Sequence, residues 1–192
     1  MGMLPQLWLP ILLSAVILFF ASSIIWMALP IHKKDYGDPR AKQGPLLDAI
    51  RASGLTPGQY FMPFDFNGKD KSPEVAELVK RGPNVMLLIM PARPNMGKML
   101  GLWFVNLLLI TTFVAYLAGH AGLPAGAEYL SVFRVVGTAA LLGHCGNALT
   151  QIIWQAHPWH TLPGKLFDGV TYALLTAGTF AWLWPKAAAA VS

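Results

Sequence analysis

The chain has 192 residues, 55% of them hydrophobic and only 12% charged, with a mean hydropathy of +0.49. Soluble domains carry about 25% charged residues, so this composition excludes an ordinary soluble enzyme, a disordered chain and a solenoid array, and implies a membrane protein. One cysteine, Cys145, excludes an internal disulfide, a thiolate zinc site and an iron–sulfur cluster; the net charge of +5 is distributed by a membrane rule, so nucleic acid is not an expected partner.

Crossing a hydrocarbon core of about 30 Å takes about 20 helical residues, and four stretches qualify. The first covers residues 7–29 and contains no charge. A signal peptide competes for it, but no Lys or Arg precedes it, the apolar run is too long and no small-x-small site follows. An anchor with a translocated N-terminus is expected, with His32, Lys33 and Lys34 directly behind it. The second span covers 99–117, the third 129–155 and the fourth 167–184. Trp8, Trp26, Trp103, Trp154, Trp182 and Trp184 fall near the ends of these spans, as an interfacial aromatic belt places them.

Eleven of the 14 Lys and Arg residues lie between Lys33 and Lys98. The positive-inside rule then puts residues 33–96 in the cytoplasm and both termini outside. Lys165 agrees with that topology and Lys186 opposes it weakly.

Residues 33–96 form the only long polar segment. A short helix is expected over 44–54, an extended stretch over Gln59–Pro63, and a second helix behind Ser72-Pro73-Glu74, ended by Gly82-Pro83. Val85–Met90 is an apolar run of strand length. This order fits a small βαβ-like α/β unit. Two strands are marginal alone, so the unit should lean on the membrane, a second copy or another subunit. Its methionines read as adaptable packing material rather than as copper ligands.

The third span is the most polar. At 100° per residue, Arg134, Gly137, Ala140, His144, Asn147, Ala148 and Gln151 share one side, opposite Val135, Leu142, Leu149 and Ile153. Polar groups in lipid must face protein or water. The plain reading is close helix packing through Gly and Ala with Asn147 and Gln151 bonding a neighbour; the alternative is a functional polar face. Matching faces are expected from Asn106, Phe113, Tyr116 and His120 on the second span and from Asp168, Tyr172, Thr176 and Thr179 on the fourth. Antiparallel packing of spans three and four brings Asp168 to the depth of Gln151, His157 and His160, where a carboxylate can orient an imidazole, pair with it or join a proton path.

A bis-histidine haem needs two His at one depth on facing helices. His144 lies alone near mid-span, which leaves His32, His157 and His160 at the inner edge as the remaining haem or metal candidates; none is favoured. Gly97-x3-Gly101 is a weak dimerisation motif, and no P-loop, GxSxG, HExxH or paired-Cys motif occurs. Ala187–Ala190 reads as a frayed end.

The segments SSIIWMALPIHKKD (22–35), PGQYFMP (57–63), YLSVFR (129–134), FDG (167–169) and TAGTF (176–180) carry a resemblance. Through them the chain resembles a group of bacterial multi-pass inner-membrane proteins without an assigned activity. The resemblance implies a bacterial multi-pass protein and transfers no catalytic residue. The expected molecule is a membrane all-α protein with four transmembrane helices and a small cytoplasmic α/β insert between the first two. Its expected role is that of a non-enzymatic accessory or scaffold subunit, joined to a protein partner or second copy through the third span and the insert. The alternatives are a haem- or metal-binding redox protein and a proton or small-solute pathway component using Arg134, His144, Asn147 and Asp168.

Overall fold

The computed structural model describes residues 3–64 and 72–187, which excludes all but Ala187 of the C-terminal alanine run. A 3₁₀ turn over Leu4–Leu7 leads into α1 (Trp8–Ala28). There follow α2 (Gln43–Ala52), β1 (Gly58–Met62), α3 (Pro73–Arg81) and β2 (Val85–Ile89). The chain then forms α4 (Met96–His120), α5 (Tyr129–Cys145), α6 (Ala148–Trp154) and α7 (Leu162–Trp182). It divides into two compact units, residues 37–94 and the remainder.

In the larger unit, helix ends follow local chemistry. Pro10 sits in the first turn of α1, where its missing N–H breaks no bond. The helix stops where Leu29 turns extended ahead of Pro30. Asn95 caps α4, its Oδ1 accepting from the Lys98 amide at 3.0 Å. Three helices are long and apolar enough to cross a membrane: Leu4–Ala28, Met96–His120 and Tyr129–Trp154. The last is broken at Gly146–Asn147, so the continuous third span expected over 129–155 is in fact α5 and α6 joined by a turn. The fourth expected span corresponds to α7, whose 21 residues extend about 31 Å but are not apolar enough to join the other three.

α1 packs on α4 and α7, and α5 packs on the same two helices, closing a ring of four. Met27 at the end of α1 and Met96 at the start of α4 line one cavity. At the opposite end the Gly126 amide donates to the Pro185 carbonyl at 2.8 Å, and Trp184 Nε1 donates to the Pro124 carbonyl at 2.9 Å. The bundle is therefore up-down-up-down. α5 and α7 approach closely through small residues. A Cβ on Gly137 would lie 3.3 Å from that of Ala177, and Ala140, Ala173 and Ala177 are buried beside Val132, Val136 and Phe180. α7 is the most enclosed helix: Asp168, Tyr172, Thr176 and Thr179 are all buried.

Two expected faces turn out differently. On α4, Leu107, Thr111, Val114, Ala115 and Ala118 face inward, so Asn106, Phe113, Tyr116 and His120 are exposed. On α5, Val132, Val136 and Ala140 are buried and Arg134 is exposed. Leu142, Leu149 and Ile153 do face outward as expected. Periodicity groups residues on one face, but in lipid both sides of a helix are apolar, and the small residues decide which side its neighbour approaches.

In the smaller unit, Ser72 caps α3, its Oγ accepting from the Val75 amide at 3.4 Å, and Gly82 at φ +59° ends the helix. β1 and β2 pair from Gly58 opposite Ile89 to Met62 opposite Val85. The pair is antiparallel, not the parallel pair of a βαβ unit. A parallel crossover needs a helix laid across the sheet, whereas α3 is a short helix with no buried residue. None of the described residues of 37–94 is buried.

Candidate functional site

Where α1 ends and α7 begins, four side chains interlock. His32 follows α1 in a 3₁₀ turn over Pro30–His32 and is 7% exposed. Its Nδ1 lies 2.7 Å from Asp35 Oδ2 and its Nε2 lies 3.1 Å from Asp168 Oδ1. Trp26 Nε1 donates to the other oxygen, Asp168 Oδ2, at 3.1 Å. The Trp26 and His32 rings stack at 3.9 Å and 3°. On the α7 side the imidazole rests against Gly164, where a Cβ would stand 3.1 Å from His32 Cε1. Gly164 thus makes room for the ring, Trp26 covers it, and the carboxylates fix its orientation.

Each ring nitrogen faces a carboxylate, so the doubly protonated imidazolium donates to both at once. Burial opposes that positive charge, but the hydrogen bonds and negative charges of Asp35 and Asp168 outweigh it. The His32 pKa is raised above its ordinary 6.5.

Asp168 and Trp26 also form part of the wall of a cavity of about 850 Å³, within the range of small-molecule sites. α1 contributes Phe19, Ser22 and Met27, α4 contributes Met96, Leu100 and Trp103, and α7 adds Lys165 and Tyr172. His144, Asn147, Ala148 and Gln151 line it from both sides of the α5–α6 break. Trp103 Nε1 donates to Ser22 Oγ at 3.0 Å, and Lys165 Nζ donates to Gln151 Oε1 at 2.6 Å. His144 stands edge-on to Tyr172 at 5.4 Å, with its Nε2 buried and, among the described residues, without a hydrogen-bond partner.

Of the residues singled out from sequence, His144, Asn147, Gln151, Asp168 and Tyr172 converge on this cavity. Arg134 does not: it borders a separate depression of about 280 Å³ between α5 and α7. Asp168 meets His32, not His157 or His160. The last two are exposed, and His160 Nε2 lies 3.0 Å from the Lys34 carbonyl oxygen. Both ring nitrogens of His32 are engaged by carboxylates, which leaves neither for a metal or haem iron. Among the described residues no group of three or more His, Cys, Asp or Glu is arranged to hold a metal.

Sequence reasoning missed the His32–Asp168 pairing, although a signal for it existed. His32 ends the first apolar span and Asp168 begins the fourth, and alternating spans put those two ends on one side of the bundle. Comparison with protein-family models, with curated proteins and with solved structures finds no match for the chain.

Proposed function

We propose that the chain is a four-span protein of the bacterial inner membrane, with both termini outside and residues 33–96 in the cytoplasm, acting as a non-enzymatic accessory subunit of a larger complex or homo-oligomer. One observation carries the accessory role: no described residue of 37–94 is buried, while Leu46, Phe61, Leu78, Leu88 and Met90 are exposed there. Two paired strands and two short helices with no core do not hold a fold in water. A protein surface covering these side chains supplies the missing burial. The placement of 11 of 14 basic residues between Lys33 and Lys98 supports the topology, and the enclosure of α7 by α1 and α5 accounts for a span with so many polar side chains.

The test is the mass of the full chain extracted from native membranes in a mild detergent, with a photo-cross-linker at Leu88. The expected result is a particle containing a second protein or a second copy, cross-linked through Leu88. A detergent-bound monomer with no cross-linked product contradicts the proposal.

The Asp35–His32–Asp168 chain favours a second reading, a proton pathway from the cavity to the polar segment behind α1. Proton flux in liposomes that His32→Gln and Asp168→Asn both leave unchanged ends that reading.

A further inference from the structure

The cavity carries Lys165 and Gln151 at one end, and deeper in Ser22, His144 and Tyr172 stand among Phe19, Leu100 and Trp103. From Lys165 to Tyr172 is seven positions on α7, about 10 Å along the helix axis. At the shallow end stand Lys165 and Gln151; at the deep end stand Phe19 and Trp103. At the α5 break, α6 packs against α7 while α4 packs against α1 and α5. Two charged side chains line it, and they differ in what they have left to offer. Asp168 is engaged on both oxygens, one on His32 and the other on Trp26. Lys165 is bonded only to the neutral Gln151, and among the described residues no carboxylate pairs with it. A half-buried ammonium that no carboxylate among the described residues contacts, at the mouth of a largely apolar cavity, is complementary to an anion carrying an apolar body.

We propose that this cavity binds the anionic head and upper acyl chain of an amphiphile, with Lys165 and Gln151 holding a carboxylate or phosphate and Phe19, Leu100 and Trp103 enclosing the chain. The site lies wholly in the helical unit and does not depend on a partner for residues 37–94. A free fatty acid and an anionic phospholipid share this chemistry, and the bilayer is the source of either.

The experiment uses the full chain in nanodiscs of zwitterionic lipid. Titrants are spin-labelled stearate, its methyl ester, spin-labelled phosphatidylglycerol and spin-labelled phosphatidylcholine. The readout is quenching of Trp103, taken as the difference between the parent chain and Trp103→Phe. At least one anionic probe should quench saturably and bind at least about fivefold tighter than its neutral or zwitterionic twin. Saturation by stearate alone identifies a free fatty acid, and saturation by phosphatidylglycerol alone a membrane lipid; either supports the proposal. Lys165→Gln should remove the preference for the anionic probe. Leu100→Trp, which fills the cavity, should remove saturable binding, whereas Leu102→Trp on the exposed side of α4 should not. Quenching that never saturates, or a preference that survives Lys165→Gln, overturns the proposal.

Discussion

His32 Nε2 lies 3.1 Å from Asp168 Oδ1, a contact across 136 residues that fastens the turn behind α1 to the first half of α7. Asp35 holds the other ring nitrogen at 2.7 Å. Trp26 stacks on the ring and donates to the same Asp168 carboxylate. Removing His32 leaves the buried Asp168 carboxylate without that partner.

His32→Ala should therefore lower stability by about 2–3 kcal/mol, because Asp168 loses a charged donor and Trp26 loses its stacking partner. Asp168→Asn keeps one oxygen as an acceptor and should cost less, about 1 kcal/mol. Thermal unfolding in detergent separates the two, and equal losses would argue against the geometry described.

The same cluster makes a prediction about pH. A histidine whose folded-state pKa is raised above 6.5 contributes stability that is complete below the unfolded value and is lost as pH rises through the folded value. The parent chain should thus lose stability between about pH 6 and about pH 9 more steeply than His32→Gln, which has no proton to lose there. Parallel curves would show that the imidazolium does not bind the two carboxylates.

At Gly169 the α5–α7 crossing is closest. A Cβ there would overlap Cys145 Sγ and stand 3.3 Å from the His144 carbonyl carbon. Gly169→Ala should destabilise by about 1–3 kcal/mol through overpacking. Cys145→Ala in the same chain removes the overlapping sulfur and should recover more than half of the loss, an interaction that a double-mutant cycle measures directly.

Residues 37–94 expressed alone should show no cooperative thermal transition, because no described residue there is buried. Circular dichroism is sufficient to check this. A sharp, two-state melt would show that the unit has a core of its own and would weaken the case for a partner.

Some of this was legible in the sequence because single residues determine it. Ser72-Pro73 starts α3 and Gly82 ends it, and the uncharged run through α1 forms a helix long and apolar enough to cross a membrane. The enclosed row Asp168, Tyr172, Thr176 and Thr179 was legible too, since its polar groups need protein around them. What depends on pairing was not. Strand direction depends on whether α3 covers the sheet, and its composition is silent on that. The inward face of α4 is marked by Leu107, Thr111 and Ala115, which differ little in polarity from their exposed neighbours. His32 reads from sequence as a haem or metal candidate at the inner edge, because Asp168, which holds its Nε2, lies 136 residues away in the chain.

Topology underlies the proposed function, and labelling single cysteines in intact cells with a membrane-impermeant maleimide tests it most directly. In a Cys145→Ala background, Glu128→Cys between α4 and α5 and Lys186→Cys behind α7 should label from outside. Ser53→Cys in the polar segment should label only after the membrane is opened. Labelling of Ser53→Cys in intact cells, or protection of Lys186→Cys there, would contradict a four-span chain whose basic segment lies within the cytoplasm.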